Sequence, residues 1–149
     1  MIGCGGAGKT TVARALARRH HLPLVEADAI VHGRGPRPEA EWQAELNAHA
    51  DGEAWVIDAM KLSLLEHRVA RADTVVFLDL PRRWCYLGVA QREHRRRDLT
   101  NSEFMRWIWD FPGRARPRIY ELLDRHRHDT DVVVLRSRRE IHEFLTTHG

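Results

Sequence analysis

Gly3-Cys4-Gly5-Gly6-Ala7-Gly8-Lys9-Thr10 satisfies the pattern G-x-x-x-x-G-K-[ST] at every defined position. Glycines at this density let consecutive backbone N–H groups turn inward around an anion. A helix opening directly behind them adds the positive end of its dipole. In such a loop a lysine reaches the β- and γ-phosphates of a nucleoside triphosphate and the following hydroxyl ligates Mg²⁺, tasks that fall here to Lys9 and Thr10. Gly3, Gly5, Gly6, Ala7, Gly8 and Thr11 complete the candidate cradle. The alternative, a glycine-rich turn before an ordinary amphipathic helix, does not account for the placement at a loop-to-helix junction with strand–helix alternation behind it. Cys4 lies inside the loop, where helix-end amides would lower a thiol pKa and allow a redox switch. The simpler reading is a small residue that fits.

Carboxylates follow at the places such a site needs them. Trp55-Val56-Ile57-Asp58 is an apolar strand ending in an acid, the arrangement that sets a carboxylate beside phosphate-bound Mg²⁺. Phe77-Leu78-Asp79 has the same form, but Asp79 stands just before Pro81 and can serve as a helix cap or turn residue, so Asp58 is preferred as the metal carboxylate. Asp28 follows an apolar segment, Leu24 to Glu26, and precedes a Gly- and Pro-rich stretch. At the carboxyl end of a parallel strand it would face the ligand crevice and orient or deprotonate a hydroxyl acceptor, or hold metal-bound water. A turn residue is the competing role for Asp28 and Asp58 alike.

Arginines cluster toward the middle of the chain. Arg92, Arg95, Arg96 and Arg97 close one helical segment, and Arg114, Arg116 and Arg118 begin another. A helical lid carrying them, over about residues 92–118, would stabilise charge developing on a transferred phosphoryl group and exclude water. Two other readings stay open: arginines complementing a helix C-terminus, and a basic footprint for nucleic acid. Trp107, Trp109 and Phe111 cannot share one helical face, which favours packing roles over base stacking. The ten histidines lack the companion cysteines and spaced carboxylates of a zinc site.

These groups require a scaffold of alternating strands and helices. Leu24 to Glu26, Trp55 to Asp58, Thr74 to Leu80 and Asp131 to Leu135 are dense in Val, Ile and Leu, as strands covered on both faces are. Between them the spacing predicts helices over Lys9–His20, Glu39–Ala50, a long segment opened by Pro81, Ser102–Phe111 and Ala115–His126. Pro112 and Gly113 separate the last two. A final helix begins at Ser137 with Glu140 at capping-box spacing. Only Met1 and Ile2 precede the glycine loop, short of the roughly five residues usual for a strand. The expectation is a chain trimmed ahead of an otherwise intact pattern; the alternative is a stub strand in a weakened sheet.

The 149 residues, 43% hydrophobic and 30% charged, suffice for one globular domain spanning 1–149 and exclude a disordered chain. Cys4 and Cys85 are the only cysteines, which excludes a disulfide scaffold and suits a reducing compartment. No apolar run reaches the roughly 18 residues of a membrane span, and no signal-peptide pattern opens the sequence. The expected setting is cytoplasmic, without a membrane partner. A net charge of +3 does not by itself call for nucleic acid, though the arginine bias favours phosphates.

With these segments placed, the chain resembles the adenylate-kinase-like P-loop proteins called DNA topology modulation proteins. The resemblance runs from Gly3–Thr11 through the Asp28 loop, Trp55–Asp58 and Val76–Asp79 before Pro81 and Arg82. It continues through Phe104-Met105-Arg106-Trp107-Ile108-Trp109-Asp110-Phe111-Pro112 and Val134-Leu135-Arg136-Ser137-Arg138-Arg139-Glu140-Ile141. It implies a three-layer α/β/α, nucleotide-kinase-like P-loop NTPase fold with ATP in the loop, Mg²⁺ as cofactor and a short arginine-rich lid. By similarity to adenylate kinases it implies Arg92 near the adenine or phosphates and Asp58 acting on Mg²⁺ through water. The sequence departs from the family where Ala59-Met60-Lys61 replaces the usual Gly-Asn-Tyr, where Gly35 is followed by Pro36 instead of a tryptophan, and in a shorter segment between Arg97 and Glu103. The first two departures fall on the acceptor side.

The expected function is therefore transfer of the ATP γ-phosphate to a small acceptor. Lys9, Asp28, Arg92 and Arg96 would carry the transfer, and Thr10 and Asp58 would hold the metal. The alternative is a nucleotide-binding regulatory module whose basic face contacts nucleic acid without phosphoryl transfer.

Overall fold

Five short parallel strands rich in Val, Ile and Leu form the middle layer of a three-layer α/β/α arrangement. The computed structural model describes residues 1–33, 35–96 and 102–149, and for His32 and residues 92–96 the backbone alone. The strands are β1 (Ile2–Gly3), β2 (Leu24–Glu26), β3 (Val56–Asp58), β4 (Thr74–Leu78) and β5 (Asp131–Leu135). β4 pairs with β1 on one side and with β5 on the other, and β2 pairs with β3. Met1 joins the two ladders: its nitrogen donates to Ile57 O (2.7 Å) and its carbonyl accepts from Ala59 N (3.3 Å), the two bonds of a parallel bridge. The order across the layer is thus β2-β3-β1-β4-β5. β1 has two residues and engages only the last two of β4, Ile2 opposite Phe77 and Gly3 opposite Leu78.

The helices are α1 (Lys9–Arg19), α2 (Ala27–His32), α3 (Glu39–Ala50), α4 (Leu65–Arg71), α5 (Arg82–Arg96), α6 (Ser102–His126) and α7 (Arg138–His148). α1 and α7 pack together on one face of the sheet, and α3, α4 and α6 form a contiguous layer on the other. The main core gathers Phe77 and Leu78 of β4 with Ile108, Phe111, Ala115, Ile119 and Leu122 of α6. A separate, smaller core joins Trp42, Leu46 and Ala50 of α3 to Val25 and Ile57. α7 opens as its sequence anticipates, with Glu140 N donating to Ser137 Oγ (3.1 Å).

The region of Pro112 and Gly113 corrects one expectation. They do not separate two helices; α6 runs unbroken for 25 residues with Pro112 and Pro117 inside it. Each proline removes a backbone donor, which argues for a break. The buried residues Ile108, Phe111, Ala115, Ile119 and Leu122 nevertheless keep helical spacing straight through the site, and each large apolar side chain gains about 1.5–3 kcal/mol from burial. That sum outweighs the lost hydrogen bonds. Smaller differences lie at element ends: β3 begins at Val56, β4 stops at Leu78 and α1 ends at Arg19. Helices α2 and α4 have no counterpart in the sequence reading; at six and seven residues they are too short for a clear periodic signal.

Candidate functional site

The glycine loop bridges the carboxyl end of β1 and the start of α1. Its turn is closed by Ala7 N donating to Cys4 O (3.2 Å), and the helix bonds begin with Val12 N to Gly8 O (3.1 Å). Gly6 and Gly8 adopt left-handed φ values of 76° and 94°, which side-chain-bearing residues rarely tolerate. A Cβ on Gly6 would also strike the carbonyl oxygen of Cys85 on α5. Glycine at this position is therefore demanded twice, by conformation and by space. No side chain caps α1 and no acidic residue occupies its first turn, so its positive end is left for an external anion. Lys9 Nζ donates back to Cys4 O (3.2 Å) across the mouth of the loop.

Behind Lys9, Thr10 Oγ1 donates to Asp58 Oδ2 at 2.5 Å. The two residues come from the first turn of α1 and the last position of β3, and only the parallel packing of those elements unites them. Asp58 is buried, and its other oxygen, Oδ1, has no hydrogen-bond partner. A bare buried acceptor of this kind costs about 1–3 kcal/mol, more when charged, unless something occupies it. Its position beside the Thr10 hydroxyl fits a divalent cation or a cation-bound water. Among the described residues no group of three or more His, Cys, Asp or Glu side chains forms a protein-only metal cage. Mg²⁺ held with a nucleotide needs none, since one or two protein oxygens, phosphates and waters complete its shell.

Asp28 stands apart from this group. It is exposed, in the first turn of α2, so it belongs to a helix and not to the loop that follows. Glu26, not Asp28, ends the strand: it lies opposite Asp58 in the β2–β3 register and is paired with Arg14, whose Nη2 is 2.6 Å from Glu26 Oε1. Arg92, Arg95 and Arg96 lie on the last turns of α5, and their side chains fall outside the described residues, as does all of Arg97.

Asp79 departs from the capping role that the sequence offered it. It is buried at the end of β4, where Arg116 Nε forms an ion pair with Oδ1 (2.6 Å) and Tyr120 OH donates to Oδ2 (2.9 Å). Arg136 Nη2 donates in turn to Tyr120 OH (3.3 Å). Burial, and then the hydrogen bond to Asp79, push the Tyr120 phenol up from its ordinary value. The network ties α6 and the β5–α7 connection to the carboxyl end of β4. Phe104 reaches the loop from α6, its ring occupying the space a Cβ on Gly5 would need. Trp107 stacks on Phe104 (6.0 Å between centroids) and meets Phe111 edge-on (5.4 Å). Trp109 points outward, with Arg82 over its ring at 4.5 Å. The packing roles read for Trp107 and Phe111 hold.

Sequence reasoning missed a further feature near α3. Lys61, one of the chain's two lysines, sits 4.0 Å over the ring of buried Trp42 and 3.2 Å from Glu39 Oε1. The only signal available was the isolated cation three residues beyond β3.

No protein-family model and no curated protein sequence matches the chain. Solved structures do. Shikimate kinase from Acinetobacter baumannii in complex with shikimate is similar with a TM-score of 0.67 and 18% identity, over 98% of this chain and 87% of that one. A gluconokinase from Sinorhizobium meliloti 1021 gives 0.53 and 19%, over 98% and 90%. Deoxyadenosine kinase from M. mycoides with bound dCTP gives 0.52 and 11%, over 98% and 96%. The chain therefore has a three-layer α/β/α fold with a parallel sheet that matches these kinase structures. At these identities the likeness is one of fold.

Proposed function

We propose that this protein is an ATP-dependent phosphotransferase of nucleoside- or nucleotide-kinase type that transfers the γ-phosphate to a small hydroxyl-bearing acceptor. The observation that carries the reading is the Thr10–Asp58 hydrogen bond behind the glycine loop, with Asp58 Oδ1 left bare. The loop amides and Lys9 would hold the triphosphate, with Lys9 leaving Cys4 O to do so. Thr10 and Asp58 would hold Mg²⁺, Asp58 through a bound water. When bound, Mg²⁺ neutralises charge on the β- and γ-phosphate oxygens. Arg92 and Arg96 at the end of α5 are the lid cations of this reading. Arg116, held at the sheet edge by Asp79, is a further arginine on the lid side of the loop.

Asp28, exposed in the first turn of α2 just past β2, is the residue proposed to face the acceptor and to orient or deprotonate its hydroxyl. Shikimate, deoxyadenosine and gluconate kinases each act on a hydroxyl-bearing small molecule, which supports this class of acceptor for a chain of the same fold. The likeness of segments to the topology modulation proteins points to the same nucleotide chemistry.

Calorimetry with Mg²⁺ and ATP, followed by a screen of nucleosides, nucleotides and small hydroxyl compounds for ATP consumption, tests the reading. Heat of binding and acceptor-dependent turnover, both lost in Lys9→Ala, are the expected results; no binding of any purine triphosphate overturns it. A second reading, a nucleotide-binding module that contacts nucleic acid, draws on exposed Trp109 beneath Arg82. It requires duplex binding that weakens steeply with salt.

A further inference from the structure

Three neighbouring arginines of α6 part company in the fold. Arg114 and Arg118 are exposed, whereas Arg116 is half-buried and meets a buried carboxylate. Its Nε lies 2.6 Å from Asp79 Oδ1. Both atoms are enclosed, and the contact is one of charge, without the angle of a hydrogen bond. The other carboxylate oxygen is fixed independently. Tyr120 OH donates to Oδ2 at 2.9 Å, and the Tyr120 ring packs edge-on against Phe77 of β4, 5.5 Å between centroids. Asp79 therefore sets where the Arg116 guanidinium sits.

A guanidinium carries five N–H donors in a planar fork, and the enclosed Nε accounts for one. Neither Nη atom of Arg116 has a hydrogen bond among the described residues, and 30% of the side chain is exposed. The Nη edge, the edge that grips an oxyanion with two parallel bonds, is the open end. The β1–β4 register gives its place. Leu78 lies opposite Gly3, so Asp79 and Cys4 are the next residues of the two strands. Cys4 O is the acceptor that holds Lys9 Nζ. Asp79 thus anchors Arg116 at the level of the sheet where the glycine loop begins. Stability is a weak reason to keep such a pair, since buried ion pairs gain little over apolar residues of the same size.

We propose that Asp79 is a positioning residue that, steadied by Tyr120, holds Arg116 with its Nη edge free to grip the polyphosphate seated in the glycine loop. The ligand rests on the nucleotide reading above. The sign of one substitution separates this role from plain electrostatics. Removing a carboxylate near an anion site tightens anion binding by charge alone. Removing one that holds the anion's arginine weakens it.

The test measures binding of inorganic tripolyphosphate, and of Mg²⁺ with ATP, by calorimetry. Arg116→Ala should weaken tripolyphosphate binding at least about tenfold, as for loss of charge-assisted hydrogen bonds. Asp79→Asn should weaken it by about 5–10-fold although it removes a negative charge. The double variant should fall within about twofold of Arg116→Ala, because the carboxylate acts only through the arginine. Should Asp79→Asn fail to fold, Tyr120→Phe, which removes only the bond to Oδ2, carries the same comparison with an expected loss of about threefold. Unchanged or tighter binding in the Asp79 or Tyr120 variant overturns the proposal. Unchanged binding in Arg116→Ala, or losses that simply add in the double variant, does the same. A wild-type protein that binds neither tripolyphosphate nor ATP fails the nucleotide reading, and this proposal with it; wild-type binding with an indifferent Arg116→Ala fails this proposal alone.

Discussion

The glycine-loop side of the molecule and the side formed by α2 and α3 are built differently. On the glycine-loop side, Lys9 donates to Cys4 O (3.2 Å) and Thr10 to Asp58 (2.5 Å), among buried or half-buried groups. On the opposite side, Asp28 is exposed, and Lys61 is 46% exposed between Glu39 and Trp42. Helices α2 and α3 there carry their own small core. The contrast teaches which side can vary. A glycine loop is main-chain geometry and tolerates little change, whereas surface side chains on a semi-independent core can be altered without disturbing the sheet.

Substitutions that separate the two sides test this contrast. Lys9→Ala should have the largest effect, lowering ATP turnover by about 10³-fold, within the range for loss of a preorganised charge partner, while circular dichroism stays unchanged; retained turnover would break the comparison. Asp28→Asn should lower acceptor-dependent turnover by about 10²-fold, the lower range for loss of a general base, with ATP affinity intact by calorimetry. A fall in ATP affinity instead would place Asp28 on the wrong side. Asp58→Asn should weaken Mg²⁺-dependent nucleotide binding by about 10–100-fold, seen as a raised Mg²⁺ requirement, and should leave Mg²⁺-free nucleotide binding nearly unaltered. Lys61→Ala should have the smallest effect, about 0.5–1 kcal/mol of stability from the lost cation–π contact, read as a modest fall in the denaturation midpoint with phosphate-side binding untouched.

Legibility in the sequence followed the same division. The glycine loop could be read because one short segment holds all its parts, and the left-handed φ at Gly6 is a local backbone demand, although the close approach of Cys85 is not. Asp58 could be read because an apolar run ending in an acid is a local pattern, although its partnership with Thr10 is not. Asp79 was misread for the same reason: nothing near Pro81 announces Arg116 and Tyr120, which arrive from α6. The unbroken course of α6 was likewise hidden, since Pro112 and Pro117 speak locally and the burial that overrules them is tertiary.

Residue order alone marked the glycine loop, the alternation of strand and helix and the acid that ends β3, because these depend on backbone conformation and on hydrophobic runs a few residues long. Folding decided which carboxylate received a hydroxyl and which received an arginine. Those pairings join positions many residues apart, and the stacking of α1 and α6 against one sheet is what sets the distances between them.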